Sequence, residues 1–574
     1  MDSAATSVES RPVDRGRIID QLCDQFVDDY AAADPVLATY LGLLEHDADI
    51  TDLSPDGFAQ RAELIRHAVD AVVTAVPGDE RERSAQASFV ERGNLELELY
   101  EAHVTQSVIG VATSPAHALR DSFDLVDTRT DAGWANLDRR LAALPQAFAD
   151  YQRTLAAEAA DGHVTSRPQL QKVARQLRRW ARVDNTEAPT ADVFSRLVDK
   201  ASVGESLQSD LDRHARHAAT ATAELADFLE RLSADAPAKE AVGRERYALT
   251  SRYFLGARID LDETYAWGWQ ELDRIVDAMR DVAEQIVPGG SVADAVQALD
   301  ADPHRKIEGR DRLQAWMQEL SDRAVSDLAD THFDIPGPIR QLECRLATNG
   351  DGSIYYTGPS EDFTRPGRMW WDVPRGIDTF STWREVTTIY HEGVPGHHLQ
   401  VAQTALRSDL LNRWQRLMCW VSGHGEGWAL YAERLMDDLG YLDDPGDKLG
   451  MLDAQGFRAA RVIVDIGMHL ELEIPRDNPF GFHPGERWTP ELGLEFMRQH
   501  SFLEDAFLHQ EIDRYLGWPG QAPSYKVGER IWLQARSDAE SRQGDAFDLT
   551  TFHRRALDLG SIGLDPLREA LARL

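Results

Sequence analysis

Cysteine is scarce: Cys23, Cys344 and Cys419 are the only ones in 574 residues. They are too few and too scattered for a disulfide framework or a thiolate metal cluster, so buried thiols are expected. Long hydrophobic runs are missing as well. None approaches the roughly 18 apolar residues of a membrane span, which argues against a membrane partner. Positive charge is short: lysine occurs only at 172, 200, 239, 306, 448 and 526, and the formal net charge is −36. A nucleic-acid partner would be repelled without a concentrated basic face, and none is visible; the acidity reads as a solvated, repulsive surface. The opening MDSAATSVESRPVDRGRIID has no basic segment followed by an apolar stretch and a small-residue cleavage site, so a cytoplasmic protein is expected.

Helical periodicity is abundant. In 17–33 the apolar Ile18, Ile19, Leu22, Phe26, Val27 and Tyr30 recur at three- and four-residue steps, which makes one buried face. Similar patterns run through 57–76, 136–158, 190–233, 262–287, 292–299, 309–329, 383–407, 412–438, 451–473 and 490–500. The expected fold is mainly α, a large multi-helix fold with one small β-hairpin or short sheet. The hairpin would pair 340–344 with 352–357 across the turn Asn349-Gly350-Asp351-Gly352. The Pro- and Gly-rich 358–378 reads as an ordered loop. Residues 1–12 are expected to be disordered, 13–330 to form a helical N-terminal part and 331–574 a catalytic part, together one continuous two-lobed unit.

The chemistry concentrates at Tyr390-His391-Glu392-Gly393-Val394-Pro395-Gly396-His397-His398. Zinc hydrolases on helices usually place two histidines one turn apart, with a glutamate beside the first acting on water. Here the spacing is longer. On an ideal helix His397 lies about 9 Å along the axis from His391 and turned away, and His398 about 10.5 Å along on nearly the same side. Pro395 removes a backbone donor and Gly396 relaxes the chain, so the helix should bulge or break between the two histidine sets. That would return one imidazole to the metal, with His397 favoured and His398 the alternative. Four ionisable groups around a helix breaker would be costly in a core unless paired or metal-bound.

Glu426, among the glycines of Gly423-His424-Gly425-Glu426-Gly427, is the expected third ligand, and Glu433, two turns on, the alternative. Glu392 is the expected general base. Tyr515, Tyr525, Arg461 and His469 are candidates to stabilise an oxyanion. Arg461, Asp465 and His469 share one helical face and form either a buried ion-pair ladder or a pocket wall. Tyr355, Tyr356 and Arg365 are candidate substrate-wall residues, and Arg514 and Lys526 could capture a substrate carboxylate.

The combination of HEGVPGHHLQ, GEGWALYAERL, RAARVIVDIGMH and RYLGWPGQAPSYKVG, with DPVLATYLG near the start, resembles the DUF885 family of large, mainly helical bacterial proteins. That family is regarded as zinc metallopeptidase-like and distantly similar to the glutamate-zincin peptidases. The resemblance implies a metallopeptidase-like fold, with His391, one of His397 and His398, and Glu426 as ligands of one zinc ion per chain and Glu392 as base. One departure follows His469: the family usually continues with a nearby tryptophan, whereas this chain has Trp488, after an apparent insertion at 474–486.

The expected activity is zinc-dependent hydrolysis of short peptides or a related amide. Two histidines and a carboxylate can also hold non-haem iron, so a non-hydrolytic metal enzyme is the alternative, followed by a catalytically silent metal-binding protein. The sequence carries no indication of oligomeric state.

Overall fold

The computed structural model describes residues 17–182, 191–347, 354–373 and 376–573. Helix makes up 68% and strand 5%. The expected N-terminal disorder at 1–12 and the turn at 349–352 lie outside the described residues. The helices start where local chemistry allows. Ser54 accepts from Gly57 N ahead of Pro55–Thr74, Asp260 accepts from Asp262 and Glu263 ahead of Leu261–Ile286, and Asp444 does the same for Pro445–Leu470. Each satisfies amides that the first turn leaves open. The stretch read as one helix over 190–233 is two, Val193–Val198 and Glu205–Ser233, separated at Val203-Gly204.

Apolar burial divides into three clusters. The largest spans Tyr247 to Leu571 and includes Trp428, Ile463, Tyr515 and Trp532. A second runs from Val36 to Ala236 around Leu137, Phe148 and Leu177. The third joins Phe26 and Phe89 of the first helices to Trp414, Cys419 and Val421, and so ties the N-terminal helices to the connector that precedes the Glu426 helix. Each fully buried Leu or Phe contributes about 1.5–3 kcal/mol. At the centre, Pro445–Leu470 is buried nearly all round, which is what a helix packed on every side requires.

Among the described residues, five short strands form two sheets: β1 (Lys306–Glu308), β2 (Leu342–Ala347), β3 (Ile354–Thr357), β4 (Gly367–Asp372) and β5 (Thr379–Ser381). β1 pairs antiparallel with β5. The second sheet corrects the expected hairpin, because β2 and β3 do not pair with each other. β4, from the stretch read as loop, lies between them, parallel to β2 and antiparallel to β3. Met369 and Trp371 of β4 bury one face in the main core, a gain that outweighs the turn-like Arg365-Pro366-Gly367 before it.

Candidate metal centre

The His391 helix, Glu385–Glu392, stops at Gly393, and a new helix, His397–Leu406, begins with the second histidine. Between them the chain loops out: Gly396 N donates to Tyr390 O at 3.0 Å and His398 N to Gly393 O at 3.1 Å. Gly396 is required here, since a Cβ would lie 1.9 Å from His391 O. Trp428, fully buried, pins the excursion by donating Nε1 to Pro395 O at 2.9 Å. The expected break therefore does what the spacing demanded. The His391 and His397 rings stand nearly perpendicular, centroids 4.8 Å apart.

Glu426 completes the convergence. Its Oε2 lies 3.5 Å from His391 Nε2 and 3.5 Å from His397 Nε2. Ligand atoms about 2.0–2.1 Å from a tetrahedral zinc are themselves about 3.3 Å apart, so these three fit one ion. Glu392 is near as well: an atom each from His391, Glu392 and His397 lies within 4.8 Å of the others. Glu426 Oε2 is the carboxylate oxygen found 3.5 Å from both imidazole Nε2 atoms. Glu392 Oε2, buried and without a hydrogen-bond partner, is left over beside it.

Glu433 stands behind the first ligand. Its Oε1 accepts from His391 Nδ1 at 2.7 Å and its Oε2 from the Thr387 hydroxyl at 2.6 Å. With an ion in place this contact would keep the proton on Nδ1 and leave Nε2 to the metal, the usual role of a carboxylate behind a metal-binding histidine. Burial works against a protonated His391, but the carboxylates of Glu426 and Glu433 outweigh it and raise the ring to about 9. Burial also works against the charge of Glu426, and the two imidazoles override it, holding the carboxyl well below its ordinary range. Each group thus stabilises the opposite charge on the other, so the cluster holds a proton that a bound cation would displace.

His398 is turned away from the centre. Tyr356 donates its hydroxyl to Nδ1 at 2.9 Å, and Nε2 donates to Ile339 O at 2.7 Å. Burial pushes its pKa down to about 4, so the ring is neutral and both nitrogens are committed. Tyr356 is therefore a support for His398, while Tyr355 stacks on Trp370 across the sheet at 6.2 Å. Arg365, half-buried before β4, forms no ion pair among the described residues, and its guanidinium bonds only the Pro366 carbonyl, at 3.4 Å.

The C-terminal candidates separate sharply. The Tyr515 hydroxyl accepts from Arg461 Nε at 2.9 Å and donates to Glu511 Oε2 at 2.7 Å, while Arg461 Nη2 and both arms of Arg514 also bind Glu511. Tyr515 and Arg461 are thus held in a buried network, while Arg514 is half-buried and committed to Glu511 and Gln521. His469 donates Nε2 to the Tyr515 carbonyl at 3.0 Å, and Asp465 accepts from Gly520 N at 3.0 Å. The Arg461, Asp465 and His469 face therefore clamps the turn at 515–520. Lys526 is interior, bonded to Gln455, Glu271 and Glu529, so carboxylate capture does not fit it.

Tyr525 is different. It is half-buried, its ring lies 5.0 Å from the Arg461 guanidinium, and its hydroxyl makes no hydrogen bond among the described residues. Burial raises its pKa, and the next largest cause is the charge of Glu426. The helices carrying the two residues cross at glycines: a Cβ on Gly427 would lie 2.4 Å from the Gly528 backbone. That contact brings Tyr525 beside the centre.

Sequence reasoning missed three contributors. Trp428 holds the Pro395 carbonyl, Gly528 permits the crossing, and Trp420 packs 6.1 Å from the His397 ring. The glycine at 528 had a legible signal, being paired in the fold with the Gly-x-Gly-x-Gly around Glu426; the two tryptophans had none. The excursion at 474–486 closes on itself through Ile474 N to Glu486 O at 2.7 Å and Trp488 N to Leu472 O at 3.1 Å. It seats Trp488 against Gly467, on the His469 helix, so a tryptophan stands near that helix after all.

Among solved structures, the chain is similar to a protein of Colwellia psychrerythraea provisionally described as a lipoprotein. The match has a TM-score of 0.81 at 22% identity and covers 97% of this chain and 98% of that one. It is also similar to a Shewanella oneidensis protein of unknown function with the same provisional description, at a TM-score of 0.72 and 16% identity, covering 96% and 99%. At these identities the likeness shows the fold alone. No curated protein matches. The sequence matches the DUF885 family, bacterial proteins of unknown function, over residues 35–571. With almost its whole length matched, the chain belongs to the DUF885 family.

Proposed function

We propose that the chain is a zinc-dependent hydrolase of short peptides or a related amide. The reading is carried by one observation: two imidazole nitrogens and one carboxylate oxygen converge at 3.5 Å beside a second, buried carboxylate with no partner of its own. His391, His397 and Glu426 would hold the ion, which when bound lowers the pKa of a coordinated water to about 7. Glu392 Oε2 is the group placed to take a proton from attacking water and return it to the leaving amine. Glu433 keeps His391 oriented, and the free hydroxyl of Tyr525 is the donor available to a developing oxyanion. Arg461, stacked on that ring, orients it.

The test is Glu392→Gln in the zinc-loaded protein, assayed on a short-peptide library. Zinc content should be unchanged and hydrolysis lost. Turnover surviving in the variant would remove Glu392 as the base, and oxygen consumption with bound iron in the wild type would replace the hydrolase by the non-hydrolytic alternative.

A further inference from the structure

A cavity of about 230 Å³ is lined in part by Trp420, whose ring lies 6.1 Å from that of His397. Its other sides come from segments far apart in sequence: Tyr30, Phe89 and Glu96 from the N-terminal helices, Tyr253 from Arg244–Leu255, and Trp414 from the connector leading to Trp420. Four of the rings are in successive contact, Tyr30 on Phe26, Phe26 on Phe89, and Phe89 on Trp414 at 4.9 Å. Glu96 is the charge that this lining leaves over. The nearest cation, Arg92, is already committed, to Glu91 through Nε and Nη2 and to the Tyr253 carbonyl through Nη1 at 2.7 Å. Arg92 also lines the cavity, yet Glu96 forms no ion pair among the described residues, and the Arg92 charge and, after it, a hydrogen bond from Tyr253 only partly offset its burial. Burial raises its pKa, which is the mark of a carboxylate lacking a full counter-charge.

A carboxylate surrounded by aromatic faces is the chemistry that holds an organic cation: ring quadrupoles attract the charge, and the acid neutralises it. A neutral apolar occupant would leave the buried carboxylate uncompensated, at a cost. The net charge of −36 works in the same direction by drawing cationic molecules to the surface. We propose that this cavity receives the guanidinium or ammonium side chain of a basic substrate residue, so that the site acts on peptides containing arginine or lysine. The inference deepens the hydrolase reading and rests on it for the word substrate. The cavity and its cation are tested separately from turnover.

The zinc-loaded Glu392→Gln protein is titrated by calorimetry with Nα-acetyl-arginine amide and with its uncharged isostere, Nα-acetyl-citrulline amide. The arginine compound should bind about ten-fold more tightly or better, and Glu96→Gln in the same background should erase the difference. The isostere comparison needs no change at Glu96 and so holds even if that variant folds poorly. Tyr253→Phe, which keeps the ring and removes the bond to Glu96, should alter the preference without abolishing it. Equal binding of the two amides, absence of binding, or a preference that survives Glu96→Gln would overturn the proposal. Arginine selectivity in a wild-type protein that hydrolyses nothing would leave the cavity standing and end the hydrolase reading. Equal kcat/KM on basic and neutral peptides would do the reverse.

Discussion

Two groups of buried charge, one around Glu426 and the other around Glu511, sit on helices that both pack against Pro445–Leu470, and they differ in what is left over. Around Glu511 the books balance: Arg461, Arg514 and the Tyr515 hydroxyl all donate to one carboxylate, and none of the four has an unsatisfied buried atom. Around Glu426, two nitrogens face the same oxygen and Glu392 Oε2 has no partner. Orphaned atoms alone do not distinguish a site, since Asp465 Oδ1 and His469 Nδ1 are orphaned too. Convergence does, and among the described residues the one set of possible ligand atoms gathered together is at His391, Glu392 and His397. The satisfied network is complete without a further partner, whereas the unsatisfied one has room in its bonding for the ion proposed above.

Substitutions that break only one of the two groups sharpen this contrast. The largest effect is expected at Glu392, where Gln should lower turnover by roughly 10²–10⁴-fold while leaving the denaturation midpoint nearly unchanged. At Arg461 the pattern reverses: Arg461→Met should cost about 3 kcal/mol in chemical denaturation, because it leaves Glu511 and Tyr515 short of a donor, yet the variant should still bind zinc. Glu433→Gln should weaken zinc affinity about 10–100-fold in a chelator competition, since it loosens the His391 ring without removing a ligand.

The smallest effect is a pH dependence. Burial works against the charge of Glu511, but Arg461 and Arg514 outweigh it and pull its pKa from 4.5 to about 2. A depressed carboxyl contributes stability that is fully present above 4.5 and is lost as pH falls toward 2. Acid titration of stability should therefore be less steep in Glu511→Gln than in the wild type over that window. An identical slope would mean that the carboxylate is not held as described.

Much of the helical frame was legible because period-3.6 patterns survive any tertiary context, as in 17–33 and 262–287. The convergence of His391 and His397 was legible because Pro395-Gly396 announced a break between two histidine sets. The sheet was misread because turn residues at 365–367 masked the alternation of Met369 and Trp371. Lys526 looked like a surface charge because its partners, Glu271 and Gln455, come from distant helices. Tyr515 carried an overlooked signal, namely Glu511 four residues before it on the same helix. The Glu96 cavity had none, because its walls meet only after the first helices fold onto the connector at 414–420.

The most direct measurement is the zinc content of the purified chain, set beside Glu426→Ala, His391→Ala and Arg461→Met. The expected result is about one zinc per chain in the wild type and in Arg461→Met, and none in the other two. A wild type that takes up no metal after incubation with zinc, or a Glu426→Ala protein that keeps it, would contradict the assignment of this cluster as the metal centre.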